Sequence, residues 1–278
     1  MDRLKRLNAR ITNKLFIVFK RCQSNLFSKR KIKILFSRKR EWEHFIRWGF
    51  KFTQHVIAFD EFTPKNIKEY DLVVPLTIRD LKYLNKVRHL INDNLIPIPT
   101  LDSIVLCDDK YLLNQALAAN GFGNFVPKMG GALTYPYILK KRIDEWGRNS
   151  HIISGAQAEE RFSEILTHSD YFRQELIPGP FECATHILFQ KKIICSITIE
   201  YAFKTKTPIK GKDNASYTQI CCCPYLDLFS AILSSVGFDG LCCFNYKVQD
   251  NRPLILEINP RFGGSLSPLF FSFIGSIA

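Results

Sequence analysis

The side chains most able to do chemistry lie close together near the end of the chain, in the run Leu254-Ile-Leu-Glu-Ile-Asn-Pro-Arg261. Its apolar residues predict a strand, and side chains two residues apart on a strand project from the same face. Glu257 and Asn259 therefore present a carboxylate and an amide oxygen together, and such oxygens suit hard cations such as Mg²⁺. Arg261 follows with a planar fork that can bind phosphate. The alternative is a surface ion pair between Glu257 and Arg261.

The elements that must position this run change character along the chain. From Lys31 to Cys107, short apolar runs alternate with helical or loop stretches, which predicts a small parallel α/β lobe. The predicted strands of this lobe are Ile32–Ser37, His55–Phe59 and Leu72–Leu76. A helix from Lys110 to about Asn120 then opens a second half of α+β character. Asp108-Asp109 cap its start, and Gly121 and Gly123 stop it.

Most of the second half reads as strands separated by turn signals. In the run Tyr135–Arg142, Lys140 and Lys141 must project from opposite faces, and we predict that Lys141 points outward. A helix is predicted at Ala156–Thr167. The further predicted strands are Tyr171–Ile177, Cys183–Phe189, Ile193–Tyr201, Leu241–Val248 and Pro253–Ile258. The last two form a hairpin, so Asn245 can add an oxygen beside Glu257.

The charge of the chain is concentrated at its start. Of the formal net charge of +13, residues 1–47 carry 15 Lys and Arg against 3 Asp and Glu, a balance of +12. The other 231 residues carry 24 against 23, a balance of +1. Residues 48–278, the body of the protein, are therefore nearly neutral. Because they also have no aromatic-and-basic RNA-binding signature, we expect no nucleic-acid partner.

Residues 1–30 form a basic N-terminal extension. Apolar residues at three- and four-residue spacing among Lys and Arg predict an amphipathic helix. Its apolar residues are Leu4, Leu7, Ile11, Leu15, Val18 and Phe19. Three alternatives are open: the helix packs its apolar stripe on the body, lies on an anionic membrane surface, or is a mitochondrial-type presequence.

Targeting signals and cysteines bear on the compartment. No stretch approaches about 18 consecutive uncharged apolar residues, and the N-terminus lacks the pattern of a secretory signal. We therefore expect a cytoplasmic protein. The adjacent runs Cys221-Cys222-Cys223 and Cys242-Cys243 favour reduced thiols, because neighbours on a strand face opposite sides and rarely bridge. We expect buried small apolar residues rather than zinc ligands.

From about Asp108 to Pro268 the chain resembles the ATP-grasp superfamily, and within it the branch of carbamoyl-phosphate synthetase and biotin carboxylase. Four motifs arrive in the family's order: Asp109-Lys110, Tyr135-Pro-Tyr-Ile-Leu-Lys140, Gln174-Glu-Leu-Ile-Pro-Gly-Pro-Phe-Glu182 and Glu257-Ile-Asn-Pro-Arg261. The resemblance implies a Rossmann-like α/β pre-ATP-grasp lobe at residues 31–107. It also implies an α+β ATP-grasp domain at 108–278, whose small lobe (about 108–173) and large lobe (about 174–278) clasp ATP.

The resemblance also implies which residues contact the nucleotide. These are Lys110, Lys140, Gln174, Glu175, Ile177 and Glu182. In the family's arrangement Lys110 and Lys140 approach the phosphates, Glu175 and Ile177 line the adenine slot, and Glu182 accepts hydrogen bonds from the ribose hydroxyls.

The metal and the reaction follow from the same resemblance. Asn245, Glu257 and Asn259 would hold one or two Mg²⁺ ions, or Mn²⁺ in their place. Arg261 and Lys140 would act on the transferred phosphoryl group. The implied activity is that of an ATP-dependent ligase, in which a small-molecule carboxylate attacks the γ-phosphate and an amine or similar nucleophile then displaces phosphate.

Two departures from the family pattern favour a second hypothesis. The loop Arg142–Ser150 carries only Gly147, where relatives carry several glycines, so fewer backbone donors can approach the triphosphate unless side chains at 148–150 replace them. Asn245 stands where an acid or a longer amide is commoner. The alternative is therefore an ATP-binding protein of the same fold with weak or no catalytic activity.

Two further segments carry expectations. Relatives usually continue beyond the equivalent of residue 278, so we expect either a C-terminal truncation or a missing closing helix. In both cases residues 269–278 are expected to cover apolar surface only imperfectly. The basic stretch Tyr201–Asn214 is expected to include a loop over the cleft. Its lysines either bind an anionic substrate or are simply solvated.

Overall fold

Three β-sheets organise the part of the chain that the computed structural model describes, residues 2–27, 30–90, 94–131, 133–145 and 147–277. The α-helices within it are α1 (Asp2–Phe27), α2 (Arg40–Phe50), α3 (Pro64–Ile67), α4 (Ile78–Val87), α5 (Leu101–Asp108), α6 (Lys110–Leu117), α7 (Ala156–Arg161), α8 (Ser163–Leu166), α9 (Leu226–Ser235) and α10 (Ile274–Ile277). The strands are β1 (Lys33–Phe36), β2 (Val56–Phe59), β3 (Leu72–Val74), β4 (Tyr137–Lys141), β5 (His151–Ile153), β6 (Tyr171–Glu175), β7 (Phe181–Gln190), β8 (Lys192–Ala202), β9 (Tyr217–Cys221), β10 (Gly240–Gln249) and β11 (Arg252–Asn259).

The first sheet is parallel, with its strands in the order β2-β1-β3. Its central strand is apolar without alternation, and Ile34, Leu35 and Phe36 are fully buried. Such a run is typical of a parallel strand covered on both faces. Its three strands agree with the predicted ones to within two residues at each end.

The second sheet is small and antiparallel, in the order β5-β4-β6. Around it the structure corrects two predicted helices. The helix from Lys110 is α-helical only to Leu117 and continues as a π-helical turn to Phe122, in which Gly121 has a φ of +85°. The helix predicted at 156–167 is broken at Phe162, whose ring packs against His151 at a centroid distance of 4.4 Å.

The third sheet has five antiparallel strands in the order β11-β10-β7-β8-β9. The predicted hairpin between β10 and β11 is present, and Asn245 lies opposite Glu257 in its register. The edge strand β9 was not predicted. Its five residues follow the lysine-rich loop and are only partly buried, so the local pattern is weak.

The final segment packs into the main core. Phe270, Phe271, Phe273 and Ile274 are at most 1% exposed and belong to the same cluster as β1 and α2. The expectation that residues 269–278 cover apolar surface only imperfectly is therefore wrong for these side chains.

The burial predicted for the two cysteine runs holds for Cys242 and Cys243, but Cys222 is exposed and Cys221 and Cys223 are only partly buried. All nine are free thiols, and Cys107, Cys183, Cys242 and Cys243 are buried. Burial raises the pKa of the Cys183 thiol to about 12, so it stays protonated and packs as a small apolar group.

The position of helix α1 shows that one of the three alternatives for the N-terminal extension is wrong. Its apolar stripe does not pack on the body, because Leu4, Leu15 and Phe19 are more than 60% exposed. The opposite face, with Ala9 and Ile17, is the buried one. No described helix is long and apolar enough to span a bilayer.

Candidate functional site

One cleft between the second and third sheets gathers every residue predicted to bind nucleotide or metal or to act in catalysis. These residues are Lys110, Lys140, Gln174, Glu175, Ile177, Glu182, Asn245, Glu257, Asn259 and Arg261. The charged residues along its wall are the cations Lys110, Lys140, Lys210, Lys247 and Arg261 and the carboxylates Glu175, Glu182 and Glu257. Since cations outnumber carboxylates, the cleft favours an anionic ligand.

Glu257 lies at the centre of this cleft on β11. Its Oε1 accepts hydrogen bonds from Asn245 Nδ2 at 2.6 Å and from Asn259 Nδ2 at 3.0 Å. Its Oε2 lies 3.3 Å from Lys110 Nζ. Burial acts to raise the pKa of Glu257, but the Lys110 charge and the amide hydrogen bonds outweigh burial and lower the pKa to about 2. The carboxylate is therefore ionised at neutral pH, and it does not pair with Arg261 as the surface alternative supposed.

Lys110 reaches Glu257 because α6 begins beside the small sheet. Asp109 caps the helix by accepting hydrogen bonds from the backbone of Tyr111 and Leu112. The same carboxylate binds Arg142 in a bidentate ion pair, with its shortest contact at 2.6 Å. These contacts fix the first turn of α6 against the end of β4, and Lys110 Nζ also donates to Asp144 O at 2.8 Å.

Lys140 projects from β4 into the cleft, and its neighbour Lys141 is the more exposed of the pair, as predicted. Burial lowers the pKa of Lys140 to about 8, which the charge of Glu257 only partly offsets. Lys140 is therefore a buried ammonium that a polyanion would stabilise.

The segment that was predicted to form the hinge begins at the end of β6 and continues beyond it. The Glu175 backbone N–H donates to Lys128 O, and its side chain accepts from Lys128 N. The Ile177 carbonyl accepts a hydrogen bond from Lys247 Nζ at 2.9 Å. Gln174 is fully buried, donates to Asn114, and keeps an Oε1 that no described group hydrogen-bonds. An unpartnered buried acceptor on a cleft wall is suited to a ligand donor.

Two cationic residues of the cleft lie outside the predicted set. Lys247 on β10 binds the carbonyls of Ile177 and Gly179, so it ties the hinge to the large sheet. Lys210 belongs to the loop expected over the cleft, and its Nζ donates to Asn245 Oδ1 at 2.7 Å. Its Nζ also lies 3.4 Å from Glu182 and 4.4 Å from the Tyr201 ring centroid.

Lys210 is positively charged at neutral pH, because its pKa is raised. Burial acts to lower its pKa, but Tyr201 and Glu182 raise it above the ordinary value of lysine. The sequence suggested that lysines of this loop could bind an anion, yet gave no reason to choose among four of them. Lys204, Lys206 and Lys212 are exposed, and only Lys210 lines the cleft.

Arg261 is already paired with a carboxylate from the glycine-poor loop. Its Nη2 donates to Glu145 Oε1 at 2.9 Å, and Lys39 Nζ lies 3.9 Å from the other oxygen of Glu145. Glu145 is about half exposed, whereas Arg261 is nearly buried. The guanidinium that was predicted to bind phosphate is therefore already paired with a carboxylate.

Of the side chains at 148–150 that were expected to replace missing glycine donors, the structure shows that of Asn149 to be engaged within the loop. Asn149 donates from both its backbone and its side chain to Asp144, at 2.9 and 3.0 Å, within the loop itself. The Ser150 carbonyl accepts from Lys212 Nζ at 2.6 Å. Asn149 is thus used for the shape of the loop, and Ser150 is tied to the neighbouring basic loop.

A histidine beneath the cleft was also missed. His186 Nε2 and Ser265 Oγ are 2.8 Å apart, and Ser265 lines the cleft. Burial lowers the pKa of His186 to about 3, so the ring is neutral. Gly263 makes this approach feasible, because a Cβ there would lie 2.4 Å from His186 Cε1. His186 is a positioning group for the Ser265 hydroxyl.

The donor set at Glu257 fits one kind of cation. Among the described residues no group of three or more His, Cys, Asp and Glu side chains could hold a metal. Any ion here would depend on the Glu257 carboxylate and the amide oxygens of Asn245 and Asn259. Both amides would have to turn to bind it, because their Nδ2 groups face Glu257 and Asn245 Oδ1 accepts from Lys210. Oxygen donors with few charges suit Mg²⁺ when nucleotide phosphates complete its coordination.

Comparisons with known proteins give structural matches alone. A scan of protein-family models and a search of curated proteins gave no match. Phosphoribosylamine–glycine ligase from Thermotoga maritima is similar, with a TM-score of 0.65, 13% identity, and coverage of 85% of this chain and 70% of that one. D-alanine–D-alanine ligase from Bacillus anthracis complexed with ATP has a TM-score of 0.53, 14% identity, and coverage of 84% and 87%.

A third match names the superfamily. A protein from Archaeoglobus fulgidus assigned to the ATP-grasp superfamily has a TM-score of 0.56 and 12% identity, with coverage of 88% of this chain and 87% of that one. At these identities the likeness establishes the fold. The predicted resemblance is therefore confirmed, and the chain has the fold of the ATP-grasp superfamily.

Proposed function

We propose that this protein is an ATP- and Mg²⁺-dependent ligase that activates a small-molecule carboxylate as an acyl phosphate and joins it to an amine or similar nucleophile. The observation that carries the proposal is the convergence of buried cations around one ionised carboxylate, Glu257, in a cleft of the ATP-grasp fold. The structurally similar proteins include several ligases, one of them complexed with ATP.

The hinge would receive the adenine. The Glu175 N–H and the Ile177 carbonyl are already used within the protein, so the Glu175 carbonyl and the Ile177 N–H are assigned to the base. The free Oε1 of Gln174 would accept a further hydrogen bond from the nucleotide. Glu182, buried at the start of β7, would accept hydrogen bonds from the ribose hydroxyls.

The phosphates would lie among Lys110, Lys140, Lys210 and Arg261. Fixed cations stabilise the charge that spreads over the oxygens of a transferring phosphoryl group. Lys140 gains most from a bound polyanion, because burial penalises its charge in the free protein. Arg261 would exchange Glu145 for phosphate, since a guanidinium binds either anion through the same fork.

Glu257, Asn245 and Asn259 would hold Mg²⁺, or Mn²⁺, beside these phosphates, where the ion neutralises charge on phosphate oxygens. In the reaction a substrate carboxylate oxygen forms a bond to the γ-phosphorus as the bond to ADP breaks. The nucleophile then attacks the acyl carbon, and phosphate leaves with the bonding electrons. The protein binds and aligns these groups, and no covalent enzyme intermediate is required.

The assignment of domains rests on the resemblance to the ATP-grasp superfamily. We assign residues 31–107 to a Rossmann-like pre-ATP-grasp lobe, 108–173 to the small lobe and 174–278 to the large lobe, in a cytoplasmic enzyme. The parallel order β2-β1-β3 of the first sheet supports the first assignment.

A second candidate is an ATP-binding protein with weak or no catalysis. The pairing of Glu145 with Arg261 favours it, because a resident carboxylate competes with phosphate for the guanidinium. Asn245, a neutral residue bound to Lys210, also lowers the negative charge available to a metal.

Positional isotope exchange separates the two candidates. ATP carrying ¹⁸O in its β-phosphate is incubated with Mg²⁺ and pools of carboxylates, and label migration between bridging and non-bridging positions is followed with ADP release. Reversible formation of an acyl phosphate scrambles the label, and we expect scrambling that depends on a carboxylate and is abolished by Glu257→Gln. Glu200→Gln, on β8 outside the cleft, is the matched control. Binding of an ATP analogue without scrambling or ADP release in any pool would leave the second candidate.

A further inference from the structure

Helix α1 presents a continuous apolar face to solvent. Six large apolar residues form it: Leu4 (66% exposed), Leu7 (54%), Ile11 (48%), Leu15 (65%), Val18 (56%) and Phe19 (63%). At 3.6 residues per turn they fall within about 120° of the helix circumference, so they make one stripe rather than scattered contacts. Isolated exposed apolar side chains are common, but a contiguous stripe of this size marks an interaction surface.

The opposite face of α1 is fixed to the protein, so the stripe cannot turn inward. Asn13 Nδ2 donates to Thr218 O at 2.8 Å, and Asn13 Oδ1 accepts from Ile220 N at 2.8 Å. Both partners belong to β9, the edge strand of the five-stranded sheet. The amide of Asn13 thus takes the place of a neighbouring strand at an edge that would otherwise invite pairing.

A second attachment holds the other end of the helix. Arg21 donates to Trp48 O at 2.5 Å and to Gly49 O at 3.2 Å, and its guanidinium lies 4.7 Å from the Trp48 ring centroid. Asn13 and Arg21 are eight residues apart, which is about 12 Å along the axis. With two anchors at this separation, the orientation of α1 about its own axis is set.

Cations border the stripe on both sides. Arg3, Arg10 and Lys14 follow one edge and Lys5 lies at the other, and all four are exposed. Between Arg3 and Asn25 the helix contains no acidic residue. Lysine and arginine beside an apolar stripe can bury their alkyl stems and keep their charges at the level of lipid headgroups.

From this arrangement we infer that α1 docks the protein on an anionic membrane surface, with the helix in the plane of the interface. A second copy of the chain fits the face less well. Pairing two such stripes would bring the cations of both helices together, and the only acidic residue of each helix to offset them is Asp2 at its first position. A helix that lies in the plane of the interface makes a peripheral contact. The inference is independent of ATP chemistry.

Vesicle co-sedimentation of the full chain tests the inference. We expect at least about tenfold stronger binding to phosphatidylcholine vesicles that contain about 30% phosphatidylserine than to phosphatidylcholine alone. The variant Ile11→Gln/Leu15→Gln/Val18→Gln, changed at exposed positions only, should lose at least about tenfold of that binding. The matched control Leu101→Gln/Val105→Gln/Val248→Gln removes three exposed apolar residues elsewhere and should bind as the wild type does. Thermal unfolding of each variant checks that it folds.

A second variant tests the charge. Arg10→Gln/Lys14→Gln should weaken binding to anionic vesicles and leave the weak binding to neutral vesicles unchanged. The inference is overturned if the wild type does not bind anionic vesicles, or if the apolar triple variant binds them undiminished. It is equally overturned if the charge variant binds like the wild type. Sedimentation velocity showing a dimer that the triple variant abolishes, without vesicle binding, would assign the stripe to self-association instead.

Discussion

The cleft and the outer face of α1 depart from the usual distribution of side chains in opposite directions. In the cleft Lys110, Lys140 and Glu182 carry charges at less than a tenth exposure. On α1 Leu4 and Leu15 are apolar and about two-thirds exposed. Burying a charge and exposing an apolar stripe both cost free energy in the isolated chain. A bound partner would lower this cost in both regions: a ligand by pairing with the buried charges of the cleft, and an apolar surface by covering the stripe on α1.

The two regions differ in how far the protein satisfies them by itself. The charges of the cleft already have internal partners, such as Lys110 for Glu257 and Glu145 for Arg261. A ligand there must exchange contacts, so binding depends on pH and on competing groups. The stripe on α1 has no competitor to displace, and its binding depends on apolar area and lipid charge.

The largest effect is expected for Glu257→Gln. This change removes the carboxylate that Lys110 and two amides surround, and we expect carboxylate-dependent ADP release to fall about 1000-fold. Steady-state ADP release measures it, with Glu200→Gln as the control. Vesicle binding through α1 should be unchanged. Loss of vesicle binding in Glu257→Gln would show that the two regions are not independent.

The pH dependence of nucleotide affinity tests the buried charge of Lys140. Its pKa of about 8 lies below the ordinary value of lysine, so the amine loses its proton as pH rises through 8. Because the protonated form attracts phosphate, we expect affinity for a non-hydrolysable ATP analogue to fall about tenfold between pH 7 and pH 9.

Isothermal titration at fixed Mg²⁺ provides this measurement. Lys140→Met should bind weakly with a flat profile over the same range, since no proton is lost at that position. An identical slope in the wild type and Lys140→Met would assign the pH dependence to another group.

Asn13→Ala tests the attachment that holds the stripe outward. The change removes both hydrogen bonds to β9 and leaves the edge groups of Thr218 and Ile220 without the amide. We expect the free energy of unfolding to fall by about 1–2 kcal/mol, measured by chemical denaturation. Asn8→Ala, at an exposed position on the same helix, should stay within about 0.5 kcal/mol of the wild type. Equal stabilities for the two variants would remove Asn13 as an anchor.

The smallest expected effect concerns Glu145. Glu145→Gln keeps the shape of the side chain but removes the charge that competes for Arg261, so we expect about threefold tighter binding of the ATP analogue. Glu164→Gln, on the exposed helix α8, is the control. Weaker binding in Glu145→Gln would mean that this carboxylate supports the nucleotide site instead of competing with it.

Local spacing was enough to predict part of the site. The alternation of β11 put Glu257 and Asn259 on one face, and the structure joins them by a hydrogen bond of 3.0 Å. The order of the motifs predicted that Lys110, Lys140 and the hinge would share a cleft with them, and they do. Strand periodicity and motif order are local or sequential properties, so a sequence displays them directly.

The remaining residues of the site could not be predicted in this way. Lys210 meets Asn245 across 35 positions, and Glu145 meets Arg261 across 116. Nothing in a loop of several lysines distinguishes the one that faces inward. Such contacts depend on how two loops close over the sheets, which periodicity does not encode.

Helix α1 is the clearest example of the difference between what the sequence predicts and what the tertiary structure decides. The sequence by itself predicted an amphipathic helix within residues 1–30, with an apolar face among cations, and the structure has this helix at Asp2–Phe27. Only the tertiary structure decided which face packs on the body. The open edge of β9 required hydrogen-bond partners that an apolar stripe cannot supply, so the face with Asn13 turned inward and the stripe was left at the surface.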